Sequence, residues 1–71
     1  MEGIAGFLEN LINEGYEMAT LNKIGEDLVV VGLLNATNII KKIGVRCILD
    51  TYFEEIIFES NSGDIYELVA L

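Results

Sequence analysis

The C-terminal stretch 54–71 leaves a chain of this kind little freedom. Glu54-Glu55-Ile56-Ile57-Phe58-Glu59-Ser60 and Asp64-Ile65-Tyr66-Glu67-Leu68-Val69-Ala70-Leu71 flank the tripeptide Asn61-Ser62-Gly63. Two runs rich in β-branched and aromatic residues around such a tripeptide predict a β-hairpin. Side-chain chemistry selects its register. A three-residue loop with Gly63 left-handed pairs Ser60 with Asp64, Phe58 with Tyr66 and Ile56 with Leu68, so one face is apolar throughout. A loop pairing Glu59 with Asp64 opposes like charges, and one pairing Asn61 with Asp64 sets Phe58 against Glu67. The three-residue loop is the expected one.

Residues 3–14 predict a helix. Ile4, Phe7, Leu8, Leu11 and Ile12 form one stripe at i, i+3, i+4, i+7 and i+8, with Glu9, Asn10, Asn13 and Glu14 opposite and Gly15 as the stop. Residues 16–24 fit two periods. Met18 and Ala19 extend the helical stripe, whereas Tyr16, Met18 and Thr20 alternate as a strand does. The strand reading is preferred, with Gly25-Glu26 as a two-residue turn into Leu28–Leu34. That run is apolar at every position, which predicts a strand covered on both faces. Asn35 is the expected cap of a short helix through Ile43, ended by Gly44. Lys23-Ile24-Gly25 and Lys42-Ile43-Gly44 echo each other, but two tripeptides make no repeat.

These elements give an α+β fold as a single domain, 1–71. The N-terminal amphipathic helix packs on a small antiparallel sheet of four or five strands that ends in the hairpin. With 52% hydrophobic residues in 71, the supply of apolar side chains exceeds what a core of this size absorbs, and surplus exposed apolar surface marks an interface. A homo-oligomer is therefore expected. The longest apolar run, Leu28–Leu34, is too short to span a bilayer. With no cationic leader and one unpaired Cys, a cytoplasmic location and no membrane contact are expected.

Twelve acidic residues against four basic ones, a net charge of −8 and no His exclude most routes to chemistry. Affinity for nucleic acid comes from cations on phosphate, so no direct nucleic-acid binding is expected. Cys47, in the apolar run Val45-Arg46-Cys47-Ile48-Leu49, reads as a small core residue. Ser60 and Ser62 read as turn residues with no base to activate them. Glu54-Glu55 and Glu26-Asp27 are adjacent, so on a strand each pair splits between opposite faces. Zinc has no ligand set, and no calcium loop or phosphate-binding glycine cradle is present. The reading is not an enzyme, with no catalytic residues, no metal and no cofactor.

One surface stands out. In the expected register the second hairpin face carries Glu55, Ile57 and Glu59 on one strand and Ile65, Glu67 and Val69 on the other. Glu67 lies opposite Ile57 and diagonal to Glu55 and Glu59, so three carboxylates ring an aliphatic patch. This is the expected partner-binding site, suited to a protein with a basic surface, including one that otherwise holds nucleic acid. The function implied is that of a small acidic interaction protein, a stoichiometric regulator or inhibitor. The alternative is a homo-oligomeric structural or assembly subunit with no separate ligand, its surplus apolar surface buried between copies; a separate, salt-sensitive self-contact would have Lys41, Lys42 and Arg46 meet the acidic face of another copy.

Overall fold

The computed structural model describes residues 2–71. The first helix, α1 (Glu2–Asn13), forms where the apolar stripe dictates. Ile4, Leu8 and Leu11 are buried and Phe7 packs beside them, while Ile12 at the edge of the stripe is exposed. The helix closes where Gly15 adopts a positive φ. There the Tyr16 N–H donates to the Leu11 carbonyl at 3.1 Å and the Gly15 N–H to that of Ile12 at 3.0 Å.

The chain continues through β1 (Met18–Lys23), β2 (Val29–Gly32), α2 (Leu33–Ile43), β3 (Val45–Thr51), β4 (Glu55–Ser60) and β5 (Ile65–Ala70). The strands form one five-stranded antiparallel sheet in the order β2-β1-β5-β4-β3. This is the expected α+β architecture, with the C-terminal strand pair in place. Residues 18–23 settle as a strand because Ala19 and Leu21 are needed in the core, between β2 on one side and β5 on the other.

Three local expectations are corrected. The β1–β2 turn centres on Ile24-Gly25, not Gly25-Glu26. The Glu26 N–H donates to the Lys23 carbonyl at 2.9 Å, which puts Gly25, at φ 96°, third in the turn, where a positive φ is required. The apolar run 28–34 is not a strand covered on both faces. Only Val29–Gly32 is strand, at the sheet edge, and the run then bends into α2. An edge strand followed by a helix N-terminus leaves Leu28, Val29, Val30 and Leu34 more than half exposed. Asn35 does not cap α2. Gly32 occupies the cap position with no side-chain hydrogen bond, and Asn35 is already helical and exposed. At the other end Gly44, at φ 75°, closes the helix by donating its N–H to Ile40.

Both helices lie on one side of the sheet. Ile4, Leu8 and Leu11 of α1 and Leu33, Ala36 and Ile40 of α2 meet Ala19, Leu21, Ile56, Phe58, Leu68 and Ala70 of the strands. These strand positions alternate, as residues sharing one face must. The Phe58 and Tyr66 rings stack across the strand pair, 5.5 Å between centroids and 10° between planes. Buried Ser60 sits at the end of this face, its hydroxyl 2.9 Å from that of Ser62 and 3.3 Å from the Asp64 N–H it accepts. Among the described residues no helix or loop covers the opposite face.

Candidate functional site

The uncovered face of the sheet carries every residue expected at the partner-binding site. The β4–β5 register is Glu55↔Val69, Ile56↔Leu68, Ile57↔Glu67, Phe58↔Tyr66 and Glu59↔Ile65. Glu55, Ile57, Glu59, Ile65, Glu67 and Val69 therefore share one face, all half-buried by one another and by flanking strands. The loop has the expected length. The Ser60 N–H donates to the Asp64 carbonyl at 2.8 Å, and Gly63 takes a φ of 91°.

The flanking strands complete the face with residues that hairpin chemistry alone does not disclose. Across β1, Thr20 lies opposite Val69 and Asn22 opposite Glu67. Across β3, Cys47 lies opposite Glu59 and Asp50 opposite Ile57. Two carboxylates thus flank Ile57, Glu67 on one side and Asp50 on the other. The loop between β3 and β4 adds aromatic surface next to Glu55, whose carbonyl accepts the Tyr52 N–H at 2.8 Å. Tyr52 and Phe53 in that loop are 54% and 77% exposed, and the Tyr52 hydroxyl donates to Asp50 Oδ2 at 2.7 Å.

The carboxylates on this face are not equivalent. Glu59 is engaged within the chain. Arg46 Nη1 lies 3.4 Å from its Oε2, Arg46 Nη2 donates to the Asn61 carbonyl at 3.0 Å, and the Cys47 thiol points to Oε1 at 3.5 Å. Glu55 and Glu67 have each other instead. A hydrogen bond to Glu67, then partial burial and the negative charge of Glu67 and Asp50, hold the Glu55 carboxyl above its ordinary range. Opposite Glu67 on β1, Asn22 Oδ1 is sealed from solvent with no hydrogen-bond donor among the described residues. The unmatched negative charge therefore concentrates on Glu55, Glu67 and Asp50, not on the three hairpin glutamates equally.

The expected meeting of Lys41, Lys42 and Arg46 with another copy is narrowed accordingly. Lys41 and Lys42 occupy the last turn of α2, where cations suit the helix dipole, while Arg46 already holds Glu59 of its own chain.

Cys47 is not the core residue its apolar neighbours imply. It is half-buried on the open face, because β3 carries irregularities between Val45 and Cys47 and between Ile48 and Asp50 that shift its register. Desolvation, then the Glu59 contact, raise the thiol's pKa by more than Arg46 lowers it. The shift disfavours the thiolate, the form that acts as a nucleophile. Among the described residues no group of three or more His, Cys, Asp or Glu is placed to hold a metal ion. No helix of the described residues is long and apolar enough to cross a membrane. Comparison with protein-family models, curated proteins and solved structures yields no match.

Proposed function

We propose that this chain is a small non-enzymatic interaction protein whose open sheet face binds a protein partner with a basic surface. The observation that carries the reading is the crowding of Glu55 and Glu67 around Ile57 and Val69 with no cation paired to them among the described residues. A Lys or Arg presented by a partner relieves the repulsion between these carboxylates, and the aliphatic residues between them gain apolar contact. Exposed Tyr52, whose hydroxyl reaches Asp50, supplies an aromatic anchor beside this face, of the type that dominates binding energy. Carboxylates held on a rigid sheet compete with phosphates for the same cationic groups, so a partner that otherwise holds nucleic acid fits the reading. A thiol shifted away from its thiolate form and the lack of His support a non-enzymatic role, since nucleophilic catalysis relies on an activated nucleophile beside a base.

Affinity capture with charge-matched variants tests the proposal. Glu55→Lys with Glu67→Lys is expected to abolish capture of whatever protein the natural chain retains. Glu9→Lys with Glu14→Lys makes the same change in net charge at exposed positions in α1 and in the turn that follows it and is expected to leave capture intact. Equal loss from both double variants shows that only overall charge matters, and capture that survives Glu55→Lys with Glu67→Lys removes this face as the site.

A further inference from the structure

The sheet has two free edges, and the chain treats them oppositely. The β3 edge is broken by two register irregularities and carries Arg46 and Asp50, both exposed. Bulges and charges are the usual devices that stop another strand from adding to an edge. The β2 edge, Val29-Val30-Val31-Gly32, has no charge, no proline and an unbroken register with β1. Leu33 donates its N–H inward to Glu17 at 2.8 Å. Alternation along the strand therefore aims the main-chain groups of Val30 and Gly32 outward. Around them Ile24, Leu28, Val29, Val30 and Leu34 are 55–72% exposed. Together they offer on the order of 500 Å² of surface, over half of the roughly 800 Å² each partner contributes to a stable complex.

We propose that β2 pairs antiparallel with β2 of a second copy about a two-fold axis at Val30, joining two five-stranded sheets into one. Charge complementarity identifies the occupant. With Val30 facing its own equivalent and Leu28 facing Gly32 of the second copy, Asp27 falls opposite Leu33, the first residue of α2. That helix has no side-chain cap and no acidic residue in its first turn, so its positive end lacks the carboxylate that such an end favours. Glu26 is occupied by Lys23 at 3.4 Å, whereas Asp27 makes no ion pair among the described residues. Each copy thus supplies the anion that the other copy's helix lacks, twice per dimer. A parallel pairing brings the two Glu26-Asp27 segments together, and the interrupted β3 edge prevents a head-to-tail filament. The contact closes at two. This inference stands apart from the acidic-face proposal, because the β2 edge includes none of Glu55, Glu67 or Ile57.

Sedimentation across dilution, with amide hydrogen exchange, tests it. The natural chain of 7.9 kDa is expected at twice that mass, with Val30 and Gly32 amides protected in proportion to concentration. Val30→Pro removes only an outward N–H and is expected to give a folded monomer. Val30→Lys provides the same readout should the proline variant lose its circular dichroism signal. Asp27→Asn is decisive through its sign. The proposed contact predicts dissociation constants about 3- to 30-fold weaker from two lost helix-end interactions. Simple relief of negative charge predicts a tighter dimer and overturns the proposal. A natural chain that is monomeric near millimolar concentration also overturns it, as does a dimer untouched by both Val30 variants. Protection of Val30 and Gly32 that requires a different added protein assigns the edge to that protein instead.

Discussion

Along β4 the sheet's two faces alternate residue by residue, and they obey different rules. Ile56, Phe58 and Ser60 are completely buried, stacked between Tyr66 and the helices. Glu55, Ile57 and Glu59, one position away, are half-buried on the face turned away from both helices. On the first face packing decides everything, so the residues are aliphatic or aromatic and the one hydroxyl is hydrogen-bonded. On the second, Glu55 and Glu67 stand close enough to disturb each other with no cation paired to either among the described residues, an arrangement that stability alone does not favour. One strand thus serves both as a core element and as a display surface.

The widest gap between the faces should appear in unfolding free energy. Phe58→Ala is expected to cost about 3–5 kcal/mol, since it empties a fully enclosed site and removes the ring stack. Ile57→Ala should cost only about 1 kcal/mol, because part of that side chain is already in water. Denaturant melts measure both, and equal costs break the comparison by showing that the outer face is packed like a core. A smaller effect separates carboxylates within the outer face. Arg46→Ala is expected to change stability by no more than about 1 kcal/mol, as exposed ion pairs do. It frees Glu59, so retention on a cationic resin should increase beyond that of a Lys41→Ala control with the same charge change.

The smallest effect is a slope. Glu55 has a folded-state pKa raised above its ordinary 4.5 by Glu67, partial burial and Asp50. A raised acid contributes stability that is fully present below the unfolded-state value and is lost as pH rises through the folded-state value. Melting temperature should therefore decline over that window in the natural chain, and the decline should shrink in Glu55→Gln. A steeper decline in the variant reverses the sign and removes the Glu55–Glu67 pair as its source. A basic partner lowers the Glu55 pKa, so its binding should release protons in the same window.

Sequence reasoning reached the β4–β5 hairpin in full, because its strands are neighbours in the chain and a wrong register opposes Glu59 to Asp64 or Phe58 to Glu67. The six face residues follow from that register. It stopped where pairing is between distant segments. Nothing in residues 18–23 says that Asn22 will lie beside Glu67, since that contact spans most of the chain. Asp50 was hidden differently. The irregularities in β3 put Cys47 on the open face and Ile48 on the core face, against alternation counted from Val45, and the opposition of Asp50 to Ile57 follows only from how β3 joins β4 across them. The run 28–34 misled because unbroken apolarity is the mark of a doubly covered strand, and it is equally what an unprotected edge followed by a helix looks like.

The sheet order has a further consequence, for the timing of assembly. β5 is translated after the other four strands, yet it lies at the centre of the sheet, between β1 and β4. Until it emerges, the β1–β2 hairpin and the β3–β4 pair have no strand to join them, and the apolar faces meant for Leu68 and Ala70 stay open. Local hairpins can form early, but the long loop from β1 to β5 closes last. A released chain cut a few residues short of Leu68 holds two unjoined half-sheets with their inner edges exposed, the state in which such a chain is most exposed to aggregation and to quality control.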